Sequence, residues 1–216
     1  MEISHERRFA FFAMPKTGSN SMRTLLHPYS EVPTVHFNKT TAEQPFYDHM
    51  RPVEARALFV ERGWPFEQYY RFAVTRNPWA RLVSLYEHLL LSRRFRWERR
   101  LGRTPRDFER WVASTQPDGP GAGTKGNRYR MYGSYSVGAF VGDGNGHELV
   151  DEVIRLEDLA GELPRLGERL GIELAAALPK KNTRAHADYR EYYTATGRNL
   201  VAERYRADIE RFGYEF

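Results

Sequence analysis

The feature that most restricts the fold is an apolar run, Phe9 to Met14 (FAFFAM), that passes without a break into a polar heptad, Pro15 to Ser21 (PKTGSNS). Apolar residues then return at helical spacing at Met22, Leu25 and Leu26. A short, unbroken apolar run suits a strand buried on both faces, so the heptad reads as the turn of a strand–turn–helix unit, with a helix from about Ser21. The pattern recurs. Tyr69 to Pro78 (YYRFAVTRNP) is a second apolar strand, closed by Asn-Pro, and Trp79 to Leu91 follows with helical periodicity. A short strand around Pro33 to Phe37 and another over Glu152 to Leu156 are expected, with a helix over Val53 to Arg62. A leucine stripe (Leu159, Leu163, Leu166, Leu170) predicts a helix that Pro164 delays or bends, and Leu200, Val201, Tyr205, Ile209 and Phe212 share one face of a terminal helix. Strands alternating with helices predict an α/β fold whose parallel sheet is covered on both faces.

A chain of 216 residues, 41% hydrophobic, is long enough for one sizeable core, and no composition shift forces a boundary, so residues 1–216 read as one domain. The middle has a different character: Arg93 to Arg106 (RRFRWERRLGRTPR) is a basic run, and Gln116 to Arg128 (QPDGPGAGTKGNR) is rich in Pro and Gly. The basic run is either a rim that draws in an acidic acceptor or a solvated helix face, and the Gly loop at Asp118 to Asn127 either a lid or a linker. With no cysteine there is neither a disulfide framework nor a thiolate nucleophile. Met1 to Arg8 lacks the apolar segment of a signal peptide and no stretch reaches membrane-spanning length, so a soluble cytoplasmic protein without stable membrane insertion is expected.

The heptad carries the chemistry. A helix entered through Gly, Ser and Thr presents backbone N–H groups and the positive end of its dipole to one point, which suits an anion. Lys16 adds a full charge, Gly18 permits close approach, and Thr17, Ser19 and Ser21 add hydroxyls; a net charge of +5 agrees with anionic ligands. The alternative is an ordinary βα turn. A nucleoside-triphosphate loop places Lys after its second Gly, whereas Lys16 precedes Gly18 here, and no apolar strand ends in an Asp for magnesium. A kinase is therefore the first rival function and a basic nucleic-acid-binding protein the second, although no groove-reading module is present and no nucleic-acid partner is expected.

The segment MPKTGSNS followed later by RFAVTRNPWARLVSLY resembles the paired nucleotide signatures of sulfotransferases that use 3′-phosphoadenosine 5′-phosphosulfate. RLEDL, KKNTRAHADYREYY and ERYRADIERFGYEF resemble the carbohydrate-sulfotransferase branch, so the likeness covers most of the chain. The resemblance implies a P-loop-like three-layer α/β/α fold with a central parallel sheet of about four to five strands. It implies that Pro15, Lys16, Thr17, Gly18, Ser19, Asn20 and Ser21 grip the 5′-phosphosulfate, that Arg76 and Ser84 contact the 3′-phosphate, and that Lys181 and Thr183 add contacts from LPKKNTRAH. It further implies that Lys16 stabilises the leaving charge without a metal, and that a His or Glu after the second strand accepts the acceptor's proton. His36 stands there, with Glu87 and His88 as rivals; Lys39 assists sulfate binding or is simply solvated. Trp79 and Phe72 read as core rather than as adenine-stacking rings. Residues 93–146, which match nothing in the likeness, are expected to form a variable insertion or lid that chooses the acceptor, a small molecule or saccharide. Nothing in the sequence fixes the oligomeric state.

Overall fold

A computed structural model describes residues 1–91, 104–115, 117, 128–174 and 188–216. Four strands, β1 (Glu2–Ser4), β2 (Phe9–Phe12), β3 (Tyr70–Thr75) and β4 (Glu152–Arg155), form one sheet in the order β1-β2-β3-β4. β2, β3 and β4 are parallel, while β1 runs antiparallel to β2 along the edge. The helices are α1 (Ser19–Leu26), α2 (Pro52–Glu61), α3 (Pro78–Leu91), α4 (Pro105–Ala113), α5 (Arg128–Gly133), α6 (Val137–Val141), α7 (Leu159–Leu170), α8 (Ala195–Arg204) and α9 (Arg206–Phe212). The expected α/β architecture, a mostly parallel sheet flanked by helices, is the observed one.

The described residues group into two compact units, Met1–Thr75 with Phe140–Thr183, and Arg76–Ala139 with Arg184–Phe216. The first holds the whole sheet. Phe9, Phe11, Phe72, Val74 and Ile154 face Met22 and Leu26 of α1 and the leucine stripe of α7. The alternate residues on the other face lead into an aromatic layer: Phe12 meets Phe66, which meets Phe59 of α2 edge-on with ring centres 5.2 Å apart. Helices on both faces thus make three layers, and Pro164 is accommodated inside α7 instead of delaying its start.

The second unit is helical. Trp79, Leu82, Val83, Tyr86 and Leu90 of α3 pack with Phe108 and Val112 of α4 and Val201 and Tyr205. Arg81 is fully buried in it. Its guanidinium donates to the Tyr135 carbonyl at 2.7 Å and lies over the Tyr205 ring, while the Asp208 carboxylate receives the Val137 N–H at 3.0 Å. These bonds satisfy polar groups that would otherwise be costly in a core.

Three expectations need correction. β1 is an additional strand, antiparallel, so the sheet is not wholly parallel; its Glu2 is buried because Arg23 of α1 pairs with it at 2.9 Å. Pro33 to Phe37 is no strand: Val35 makes a single bridge to Tyr47, and Phe37–Lys39 is a 3₁₀ turn. The terminal helix is two helices, because Tyr205 leaves helical geometry (φ −111°, ψ 24°) as its hydroxyl reaches the Ser134 carbonyl. Most of the basic run, the Gly loop, Lys181 and Thr183 lie outside the described residues.

Candidate active site

The turn after β2 is braced from within and carries two left-handed residues. The Met14 N–H turns back to the Phe12 carbonyl, ending the strand. Pro15 and Thr17 are buried, and the Thr17 hydroxyl donates to the Met14 carbonyl at 2.9 Å, so Thr17 braces the turn from within. Lys16 and Gly18 both take left-handed backbone conformations, φ +68° and +74°. For lysine this costs about 1–2 kcal/mol, the kind of strain that persists where function needs the geometry. Alternation of this sort turns successive N–H groups toward one concavity.

Gly18 is required twice. Its φ favours glycine, and a Cβ there would stand 2.5 Å from a Leu156 methyl, the residue just past β4. As the N-cap of α1 it supplies no side-chain cap, and the first turn (Ser19, Asn20, Ser21) carries no acidic group. The Ser21 and Met22 N–H groups reach the Gly18 carbonyl at 3.0 and 3.2 Å. The first N–H groups of a helix have no partner in its own ladder, and such a terminus can hold an anion. Ser19 is buried, Ser21 and Lys16 are half-buried and Asn20 is exposed. The donor-rich, acid-free turn fits an anionic phosphosulfate.

Arg76 follows directly on β3 and is half-buried; Ser84 lies two turns into α3 and is half-buried as well. The junction between them differs from the first: the Asn77 side chain caps α3, its oxygen accepting from the Trp79 and Ala80 N–H groups at 3.0 and 3.2 Å. Trp79 and Phe72 both belong to cores, and the Trp79 ring N–H donates to the Arg198 carbonyl.

Among the candidates for proton transfer, His36 is exposed and caps the turn Phe37–Lys39, its Nδ1 accepting from the Asn38 N–H at 3.3 Å. A neutral ring with Nδ1 so engaged carries its proton on Nε2. Lys39 is exposed on the same turn. Glu87 is buried in the second unit and accepts from the Tyr192 hydroxyl at 3.0 Å, whereas His88 is exposed.

A histidine that the sequence reading passed over stands beside the turn. His49 Nδ1–H donates to the Ala13 carbonyl at 2.6 Å, which leaves the lone pair on Nε2. Burial, followed by the positive charge of the chain's amino terminus, pushes its pKa down to about 4. The next residue back, Asp48, pairs with Arg23 of α1 at 2.8 Å, so the segment before α2 is fastened to both α1 and the end of β2. The available signal was DHMRPVEA: a polar His next to a Pro-started helix, which by itself reads as a loop.

No helix among the described residues is long and apolar enough to cross a membrane. No curated protein and no solved structure matches the chain. A family model described as the sulfotransferase family matches residues 1–215, through both compact units, and with the strand–turn–helix geometry above this chain belongs to that family.

Proposed function

We propose that the protein transfers a sulfuryl group from 3′-phosphoadenosine 5′-phosphosulfate to an acceptor hydroxyl of a carbohydrate or secondary metabolite, all 216 residues serving as one sulfotransferase domain. The observation that carries this reading is the uncapped, acid-free N-terminus of α1 behind the left-handed Lys16 and Gly18. Bound there, the nucleotide supplies an activated sulfur: the acceptor oxygen forms a bond to sulfur as the bond to the bridging phosphate oxygen breaks and that oxygen leaves with the electron pair. The N–H groups of the turn and the Lys16 ammonium bind the phosphosulfate and stabilise the charge on the leaving oxygen. Arg76 and Ser84 are assigned to the 3′-phosphate, and Lys181 and Thr183 to further nucleotide contacts.

The acceptor hydroxyl must also lose its proton. His36 is one acceptor for it, but its available nitrogen carries hydrogen in the neutral ring. A second reading is favoured by the tautomer: His49, with Nδ1–H tied to Ala13, holds a lone pair on Nε2. A low pKa keeps that ring neutral at pH 7, ready to accept though a weak base, so it assists late, as the oxygen–sulfur bond forms and the hydroxyl acidifies.

Thermal unfolding with 3′,5′-bisphosphoadenosine, beside ADP, AMP and ATP with magnesium, tests the donor assignment. At 100 times its Kd the ligand adds about 2.7 kcal/mol, a shift of several degrees. The expected result is a shift with bisphosphoadenosine that Arg76→Ala abolishes. A shift confined to ATP with magnesium would return the turn to the kinases, and an Arg76→Ala protein that binds as the parent does would remove the 3′-phosphate assignment.

A further inference from the structure

β1 runs antiparallel to β2 and its last residue, Ser4, pairs with Phe9, so His5 stands at the start of β2, the end opposite the Lys16 turn. The strand rises roughly 10 Å between those two ends. A cavity of about 270 Å³ opens beside His5, within the first compact unit. Its apolar lining includes the buried Val32 and Phe46, with the Trp64 ring stacked on Phe46 at 5.6 Å between centres and His5 edge-on to Trp64 at 4.3 Å. Its polar lining is mixed in charge. The two carboxylate oxygens of Glu31 receive the Ser4 hydroxyl at 2.9 Å and the His5 N–H at 2.7 Å; burial works against the charge, but these bonds hold the carboxyl below the usual carboxylate range. Glu43 is held low by its own backbone N–H and the Thr41 hydroxyl. Facing these acids is Arg62, which lies 5.5 and 5.8 Å from the Phe46 and Trp64 ring centres and donates to the Ala42 carbonyl at 3.2 Å. Gln44 adds an amide.

Such a lining selects by charge. An anion meets two carboxylates and a cation meets a guanidinium, whereas a hydroxyl donates to the first and accepts from the second. A molecule that carries several hydroxyls on a small apolar frame, and so also suits the aromatic wall, is a saccharide. We infer that this cavity is a saccharide-binding site, separate from the turn that takes the nucleotide, and that it anchors an oligosaccharide acceptor at a distance from the hydroxyl to be sulfated. The anchoring role rests on the sulfuryl-transfer reading above; the binding site does not. Because β2 lies between cavity and turn, one acceptor engaging both must be a chain of sugars. The segments Glu31–Val32 and Glu43–Phe46 that border the cavity are also the two ends of the stretch that carries His36 and Lys39, joined by the Val35–Tyr47 bridge. Glu31 and Arg62 are positioned before a ligand arrives, which leaves little ordering for binding to oppose.

The full chain applied to an array of neutral, uronic and sulfated oligosaccharides tests this. The expected result is retention on a neutral oligosaccharide, which on titration moves the indole N–H resonance of Trp64, identified by its loss in Trp64→Phe. Glu43 and Gln44 are exposed, so Glu43→Ala and Gln44→Ala should fold as the parent does, each weaken that binding about three- to tenfold, and leave bisphosphoadenosine affinity unchanged. Retention of no neutral oligosaccharide overturns the inference. Retention confined to uronic or sulfated chains also overturns it, since charge rather than this cavity would then select the ligand. A neutral oligosaccharide whose affinity survives both substitutions binds elsewhere and overturns it as well. In each of these cases bisphosphoadenosine binding by the parent would leave the donor reading standing. A parent that binds the neutral oligosaccharide here and does not bind bisphosphoadenosine keeps the saccharide site and removes both the donor reading and the anchoring role.

Discussion

The chain passes from strand to helix at two junctions assigned to phosphates, and it finishes them in opposite ways. After β2 the helix is capped by a glycine with no side chain to offer, behind a lysine strained into the left-handed region. After β3 the helix is capped by Asn77, whose side chain receives two N–H groups and whose amide donates to the Glu215 carbonyl at 2.7 Å. The first terminus has no side-chain cap; the second is completed by a side chain of the protein. An anion at the first can be held by backbone, which tolerates little change of shape, whereas one at the second must be held by side chains such as Arg76 and Ser84, which substitution can remove without disturbing the helix.

The largest effect is expected where charge and strain coincide. Lys16→Gly should weaken bisphosphoadenosine binding about 10- to 100-fold by removing a charged donor, and raise the melting temperature of the free protein by about 2–4 °C by relieving roughly 1 kcal/mol of backbone strain. Unchanged binding would make the first junction an ordinary turn. Next comes Gly18→Ala. A left-handed alanine pressed on Leu156 should cost about 2 kcal/mol, a drop near 4–8 °C, and weaken binding because the turn must move. Asn77→Ala should cost about 1–2 kcal/mol by uncapping α3, with little change in nucleotide affinity. If it lowered affinity as much as Lys16→Gly, the contrast between the junctions would collapse.

How much of this was legible in the sequence follows from how local each feature is. FAFFAM and RFAVT are strands in any context that buries both faces, and PKTGSNS announces a helix start rich in N–H and hydroxyl donors beside a lysine. β1 was not legible, since three residues beginning with Glu2 make a strand only when Arg23, from another element, neutralises that glutamate. Pro33 to Phe37 has strand composition but finds only one bridging partner, Tyr47. The terminal stripe is continuous in sequence, and the break at Tyr205 answers a carbonyl far back in the chain, Ser134. His49 was invisible for the same reason: nothing beside it in the sequence marks it, and its meaning comes from Ala13.

The smallest effect tests what holds the open junction from behind. His49 buttresses the end of β2 through Ala13, and its pKa in the folded protein, about 4, is below the ordinary histidine value of about 6.5. Between these values the unfolded chain binds more protons than the folded one, so stability rises with pH across the window and is lost as the pH falls from about 6.5 toward 4. Other groups titrate there too, and a difference isolates the histidine: the gap in melting temperature between the parent and His49→Gln should narrow as the pH is lowered through the window, since the glutamine variant can donate to Ala13 at every pH without taking up a proton. A gap that stays constant from pH 7 to pH 4 would mean that His49 is not held neutral by its surroundings. The open junction would then rest on the Arg23–Asp48 pair and the Thr17 brace alone.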